Sequence, residues 1–522
     1  MNFTRRQALR FGGGVALVGV AGGLGLFVNT GGQTGTLLTS QVPLPEPFRQ
    51  PLRLPATAKA VDGRVELVQR AADVEILPGR RTRILGYDGT FPGPTIRARS
   101  GEQLEVHVRS ELSVATVVHL HGGITPPDSD GYPTDLILPT AGLTRHQMPG
   151  KTTVGERTYT YPLRQPAATL WYHDHAMDFT GPNVYAGMAG FFVVGDSVDD
   201  GLSLPRDERD LPLVITDRAF DGDAQFRYPA LSPGQEHAGV ESAYLGGVLG
   251  DVILVNGVPW PTHDVSTAKH RLRLLNGSNA RRYQLTLDPP PPSGSPFTRI
   301  ASDVGLLDIP MGTDEITLAP AERAEVIVDF SGYPVGTQVT MRNALGSGGT
   351  AEVMRFVVAR AEKDDTPIPE TLALKDRTAT IAPPNRAQAV TTRDFHFQLN
   401  RAPAKDAHTG PHSPDHRWTI NGQSFAADTD IATPRLGDYE IWRFLTDVHH
   451  PVHVHLGHFQ VLSRNGRTPP QKDLGWKDTV DLRPGEACEV LIRFTGFKGR
   501  YVMHCHNLEH EDMAMMANFT VT

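Results

Sequence analysis

Four histidine clusters constrain this chain more tightly than any other feature: HLHG at 119–122, HDH at 173–175, HPVHVH at 450–455 and HCHNLEH at 504–510. With 21 histidines in 522 residues, one HxH pair arises by chance about once, so a single pair carries little. Two patterns of three histidines together with two further pairs do not arise that way, and they point to bound metal. The i, i+2 spacing is the period of an extended strand, in which alternate side chains share a face. A chain of this kind must present its ligands from β-strands and fold its two ends onto one another.

Strand parity sorts the ligands. His504 and His506 share one face, and Cys505 takes the other. His453 and His455 also share a face, and a strand running back through Pro451 puts His450 opposite them. One site is then expected to combine Cys505, His450 and His510, with Met515 close behind as a thioether. Two imidazoles, a thiolate and a weak methionine form the ligand set of a blue-copper electron-transfer centre, whereas structural zinc rarely uses methionine. His449 competes with His450, and Met513 and Met516 with Met515; parity and spacing favour the residues named. A second site would gather the imidazoles of His119, His121, His173, His175, His453, His455, His504 and His506. That is too many for one ion, and it suits three copper ions with open positions for oxygen. Because these ligands come from both ends of the chain, the site is expected between the two terminal domains.

The length suggests about three domains, and 52 Gly with 42 Pro predict many turns and short strands rather than long helices. Residues 45–200 alternate β-type runs such as GEQLEVHVRSEL and GMAGFFVV with turn signals. Residues 205–362 form a second strand-rich region without a histidine pair, expected to act as a spacer; 363–392 read as a linker, and 393–522 form a third β region. The formal charge of −8, with no long basic run, gives no electrostatic basis for binding nucleic acid or an anionic membrane, so small molecules are the expected partners. Residues 1–35 place Arg5 and Arg6 before a Gly-interrupted apolar stretch, the pattern of an export signal of the twin-arginine type. No A-x-A site marks where it would be cleaved, and no later segment reaches the roughly 20 apolar residues that span a bilayer. The expected destination is the periplasm, the cell envelope or the medium. Cys488, in EACEVLIRF, reads as a buried strand residue. His408, His412 and His416 read as a solvated loop, because Pro411 and Pro414 break any helix there.

In order and across the whole chain after the leader, the four motifs resemble those of the three-domain multicopper oxidases. The local contexts HGGITPPDSDGYP, WYHDHAMDFTGPNVYAGMAG and HCHNLEHEDMAMM are most similar to the bacterial laccase branch with spore-coat laccases, bilirubin oxidases and phenoxazinone synthases. The resemblance implies an all-β fold of three cupredoxin-like Greek-key sandwiches and four copper ions. His119 and His453 would bind the type 2 copper. His121, His173, His175, His455, His504 and His506 would hold the type 3 pair, and His450, Cys505, His510 and Met515 the type 1 copper. It further implies one-electron oxidation of phenolic, aminophenolic or related aromatic donors at the type 1 centre, electron transfer through Cys505, and reduction of O2 to water. Asp130 and Glu511 match carboxylates that deliver protons in related laccases; from spacing alone each would read as a turn or capping residue. Two other activities compete, a bilirubin oxidase type and a cuprous-ion oxidase. The second commonly carries a Met-rich segment, which this chain, with 11 Met and no cluster apart from 513–516, lacks. A copper-free scaffold would have lost its ligands, and all twelve are here.

Overall fold

The computed structural model describes residues 32–141, 150–232, 234–235, 237–372, 385–399 and 418–522. The expected export signal at 1–35 as far as residue 31, part of the expected linker and the loop with His408, His412 and His416 lie outside the described residues.

The strands assemble into three sandwiches. In the first, a four-stranded sheet that includes Leu104–Ser110 and Arg64–Val74 packs on a five-stranded one. Along Arg64–Val74 the alternation is visible at once, with Val65 and Leu67 turned into the core and Glu66 exposed. In the facing sheet, β1 (Val118–His121) is the edge strand beside β2 (Ala168–Asp174), and the antiparallel register sets His119 opposite His173 and His121 opposite Trp171. β2 is buried on both faces. Leu170 and Tyr172 enter the first core, and Trp171 on the other side packs against Val214, Leu275 and Ala321 of the middle sandwich. That double burial is why ATLWYH reads as a continuous apolar run rather than an alternating one. A short helix, α1 (Thr180–Ala186), follows.

The middle sandwich pairs a seven-stranded with a five-stranded sheet, over strands from Asp210–Arg218 to Glu352–Arg360. The third pairs two five-stranded sheets. One of them carries β3 (His450–Val454), β4 (Thr479–Leu482), β5 (Gly499–Cys505) and, after the helix α2 (Leu508–Asp512), β6 (Met516–Val521). β3 lies between β4 and β5, and its register matches Val452 with Cys505 and His453 with His504. The strand does run back through Pro451, which pairs with Asp481. Val452, Val454, Met503, Cys505 and Met515 face the core of this sandwich. His453 and His504, at the alternate positions, are left to face the first sandwich.

The first and third sandwiches are also joined at the helices. Phe179, at the N-cap of α1, gives no side-chain cap. Asp512 of α2 supplies it instead, accepting from the N–H of Thr180 and of Gly181, each at 2.8 Å. A carboxylate at this position satisfies two unpaired donors and complements the helix dipole.

Candidate metal centre

Between β1 and β2 on one side and β3 and β5 on the other, the eight expected imidazoles come together, all of them buried. The Nε2 atoms of His175, His455 and His504 lie 3.2–3.3 Å from one another. Behind them, Nδ1 of His175 and of His504 sit 3.3 and 3.0 Å from the two oxygens of Glu511, and Nδ1 of His455 is 2.7 Å from Asp130 Oδ2. His119 and His453 repeat the pattern. Their Nε2 atoms are 3.4 Å apart, while their Nδ1 atoms face the carbonyl oxygens of Asp130 and Asp478 at 2.5 and 2.8 Å. A carbonyl only accepts, so His119 and His453 carry the ring proton on Nδ1 and turn two bare Nε2 lone pairs toward each other, and the ionised Glu511 sets His175 and His504 in the same sense. Buried lone pairs facing each other are unfavourable unless a cation joins them.

The remaining imidazoles agree. Nε2 of His173, Nδ1 of His121 and both ring nitrogens of His506 are buried without a hydrogen-bond partner. Burial, reinforced by the neighbouring rings, holds His119, His121, His453, His455 and His506 well below the usual imidazole range, so these rings are neutral and ready to ligate. Burial pushes the Asp130 carboxyl up to about 8, against the pull of the Thr125 hydroxyl. Burial acts on Glu511 in the same sense, but His504 and His175 outweigh it and bring the carboxyl down to about 2.

On the opposite face of β5, Cys505 Sγ lies 3.3 Å from His450 Nδ1 and 3.5 Å from His510 Nδ1, and these two nitrogens are 3.1 Å apart. Burial pushes the Cys505 thiol well up, so a bound cation is what would make it a thiolate. Met515 is fully buried in the same core, and its carbonyl accepts from the Cys505 N–H at 3.1 Å. Its rivals point elsewhere. Met516 packs with Met177 and Val502, and the Met513 thioether lies by Gly239. His449 is likewise engaged away from the cluster, by the Thr34 hydroxyl at 2.7 Å and the Arg282 guanidinium at 3.2 Å. His458 donates to the Gly122 carbonyl at 3.0 Å. Cys488 is a free buried thiol in the other sheet, pushed up to about 12 by burial.

Family profiles described as multicopper oxidase match residues 69–199 and 396–522. A laccase of Bacillus subtilis (strain 168) is 35% identical over 491 residues, covering 84% of this chain and 90% of that protein. The chain belongs to the multicopper oxidase family. A bilirubin oxidase of Albifimbria verrucaria is also 35% identical, over 84% of this chain and 73% of its own length. The crystal structure of a laccase from Pediococcus acidilactici Pa5930 superposes with a TM-score of 0.76 at 29% identity, over 93% of this chain and 95% of the other. The fold is therefore all-β and built from cupredoxin-type sandwiches, and the protein is a copper-dependent oxidoreductase that uses O2. The donor set fits copper: a thiol, two imidazoles and a thioether in one cluster, and imidazoles alone in the other.

This multicopper oxidase surrounds the candidate ligands with residues that the sequence reading missed. His450 Nε2 meets Asp447 Oδ1 at 3.1 Å, and Trp418 stacks on His510 with ring centroids 3.7 Å apart. His121 Nε2 lies 3.1 Å from both Asp478 Oδ1 and the Thr479 hydroxyl. Asp447 stands three residues before His450, and that spacing was the one available signal. Asp478 and Trp418 approach their histidines only through the packing of distant strands.

Proposed function

We propose that this protein is a laccase-like oxidase that takes single electrons from phenolic, aminophenolic or related aromatic donors and passes them to O2. In this reading His450, Cys505, His510 and Met515 hold a type 1 copper. His119 and His453 hold a type 2 copper, and His121, His173, His175, His455, His504 and His506 the type 3 pair. When bound, four copper ions supply one-electron acceptance at the first centre and four-electron reduction of O2 to two waters at the other three.

The chain's own residues do the rest. Cys505 is joined through the backbone to His504 and His506, so a short covalent path links the two centres. Burial of all the ligands keeps bulk water from the reduction site. Asp130, at Nδ1 of His455, holds a proton near neutral pH, and the ionised Glu511, at Nδ1 of His175 and His504, can take one up and pass it on; the two are the carboxyl groups placed to deliver the protons that water formation consumes. The observation that carries the reading is the pair of clusters on opposite faces of one strand: convergent imidazole lone pairs on one side, a thiol between two imidazoles on the other.

The laccase and bilirubin oxidase relatives, each 35% identical, support an aromatic donor. A structural neighbour described as a metallo-oxidase, from Campylobacter jejuni, matches at 25% identity with a TM-score of 0.73, which favours Cu(I) as the competing donor. The protein should bind four copper ions per chain and turn blue, and oxygen uptake should be faster with a phenol than with Cu(I) at matched loading; a strong preference for Cu(I) overturns the choice of donor. Export rests on Arg5 and Arg6: a double lysine substitution should leave the protein in the cytoplasm, and unchanged export refutes the twin-arginine route.

A further inference from the structure

Arg323 belongs to the middle sandwich, at the start of the strand Arg323–Asp329, yet its side chain lies where all three sandwiches meet. It is 1% exposed. Its Nε donates to the Thr169 carbonyl of the first sandwich at 3.1 Å, and Nη2 donates to the Asp303 carbonyl of its own at 2.9 Å. Its two terminal nitrogens then grip Asp478 of the third sandwich as a fork, Nη1 to Oδ1 at 2.8 Å and Nη2 to Oδ2 at 2.5 Å. Room for this fork comes from the first histidine motif itself. Gly122 has φ +86°, and a Cβ there would lie 2.6 Å from Asp478 Oδ2 and 2.7 Å from Arg323 Nη2.

Asp478 so held faces two of the imidazoles. Its Oδ1 lies 3.1 Å from His121 Nε2 and 3.7 Å from His453 Nδ1, and its carbonyl accepts from His453 Nδ1 at 2.8 Å. The Thr479 hydroxyl, 3.1 Å from His121 Nε2, donates to the same Oδ1 at 2.8 Å, so its proton is already spent and toward the ring it too can only accept. With an acceptor fixed at Nε2, His121 keeps its proton there and presents Nδ1, the nitrogen that has no partner. The other members of the cluster with a carbonyl or carboxylate behind them, His119, His173, His175, His453, His455 and His504, are backed at Nδ1 instead. His121 is therefore turned the opposite way, and the charged group that fixes its sense is Asp478, which accepts from Thr479 as well.

We propose that Arg323 and Asp478 are a positioning pair for the trinuclear histidines: the middle sandwich, through this fork, sets which nitrogen of His121 faces the metal and locks the carbonyl behind His453. The middle region then does more than space the other two. The proposal rests on the reading of these histidines as copper ligands. Orienting partners of this kind typically change metal affinity about 10–100-fold when removed, and a fork on a carboxylate is not replaced by the point charge of lysine.

The test compares Arg323→Lys and Asp478→Asn with Arg271→Lys, which breaks an equally buried ion pair of the middle sandwich, Arg271 Nε to Glu325 Oε2 at 2.7 Å, that faces none of these histidines. Copper content, the type 2 electron paramagnetic resonance signal, the blue absorption and the melting temperature are measured on each purified protein. R323K and D478N should keep the blue absorption while the type 2 signal changes or disappears, with copper at that position lost to a chelator about 10–100-fold more readily; R271K should lower the melting temperature and leave the signal as it is. The proposal is overturned if R323K and D478N lose stability as R271K does but keep a native type 2 signal and copper content. It is equally overturned if neither variant folds while R271K does, for then the pair serves the interface alone. A wild-type protein without copper would refute the reading of the histidines, a result distinguishable from either.

Discussion

Glu511 shows how much a single side chain is asked to do here. Its two oxygens lie at Nδ1 of His175 and of His504, one histidine from each terminal sandwich, so it orients both rings and is the acid nearest to them. Replacing it by Gln keeps the shape and removes the acid. E511Q should retain the blue absorption, because the carboxylate of Glu511 faces His175 and His504 on the other side of β5 from Cys505, while O2 reduction slows on the order of 10²-fold. Stopped-flow reoxidation of the reduced enzyme measures this, and an unchanged rate removes Glu511 from proton delivery. The role was visible in the sequence only as position, the residue after His510; that it bridges two histidines hundreds of residues apart was not.

At the scale of elements, the short helices and strand edges take their missing partners from other sandwiches. Asp512 caps α1 from across the interface, so Asp512→Ala should cost about 1–2 kcal/mol, as loss of an N-cap does, and should appear as a lowered denaturant midpoint at unchanged slope. A cap placed in trans leaves no local signature: Phe179, at the cap position itself, has no side-chain acceptor. Glu489 is a different case, a strand residue held by Arg386, Ser463 and Arg443. Arg386 first, then Ser463 and Arg443, lower its carboxyl to about 2 even though burial opposes this. A carboxyl whose folded value lies below its unfolded one stabilises the fold above the ordinary Glu range, and that contribution is lost as pH falls toward 2. Glu489→Gln should therefore flatten the acid side of the stability curve between about pH 4.5 and 2; thermal melts across that window decide it, and an unaltered slope contradicts the coupling.

For the whole molecule, the larger histidine cluster lies at a seam between the first and third sandwiches. Buried imidazoles drawn from the first and third sandwiches turn lone pairs toward one another, so in the copper-free protein this interface is held by hydrogen bonds behind the rings and by clusters such as Met177 with Val502 and Met516. Removing copper should lower the melting temperature by several degrees, since a ligand that binds only the folded state stabilises it by mass action. Calorimetry before and after chelation reads this directly, and superimposable transitions would show that the sites contribute nothing to the seam.

The sequence by itself determined the strand architecture, the number of metal-binding groups and the side of β5 on which each falls, because a period of two is a local property of the backbone. It likewise favoured His450 over His449, by parity together with the register of the family motif. Only the tertiary structure decided which nitrogen each histidine presents, which acid stands behind it, and that Arg323 of the middle sandwich reaches the site. Those facts depend on contacts between residues far apart in the chain, such as His121 with Asp478 and Gly122 with Arg323. No local spacing encodes such contacts; they are fixed when three separately patterned sandwiches pack against one another.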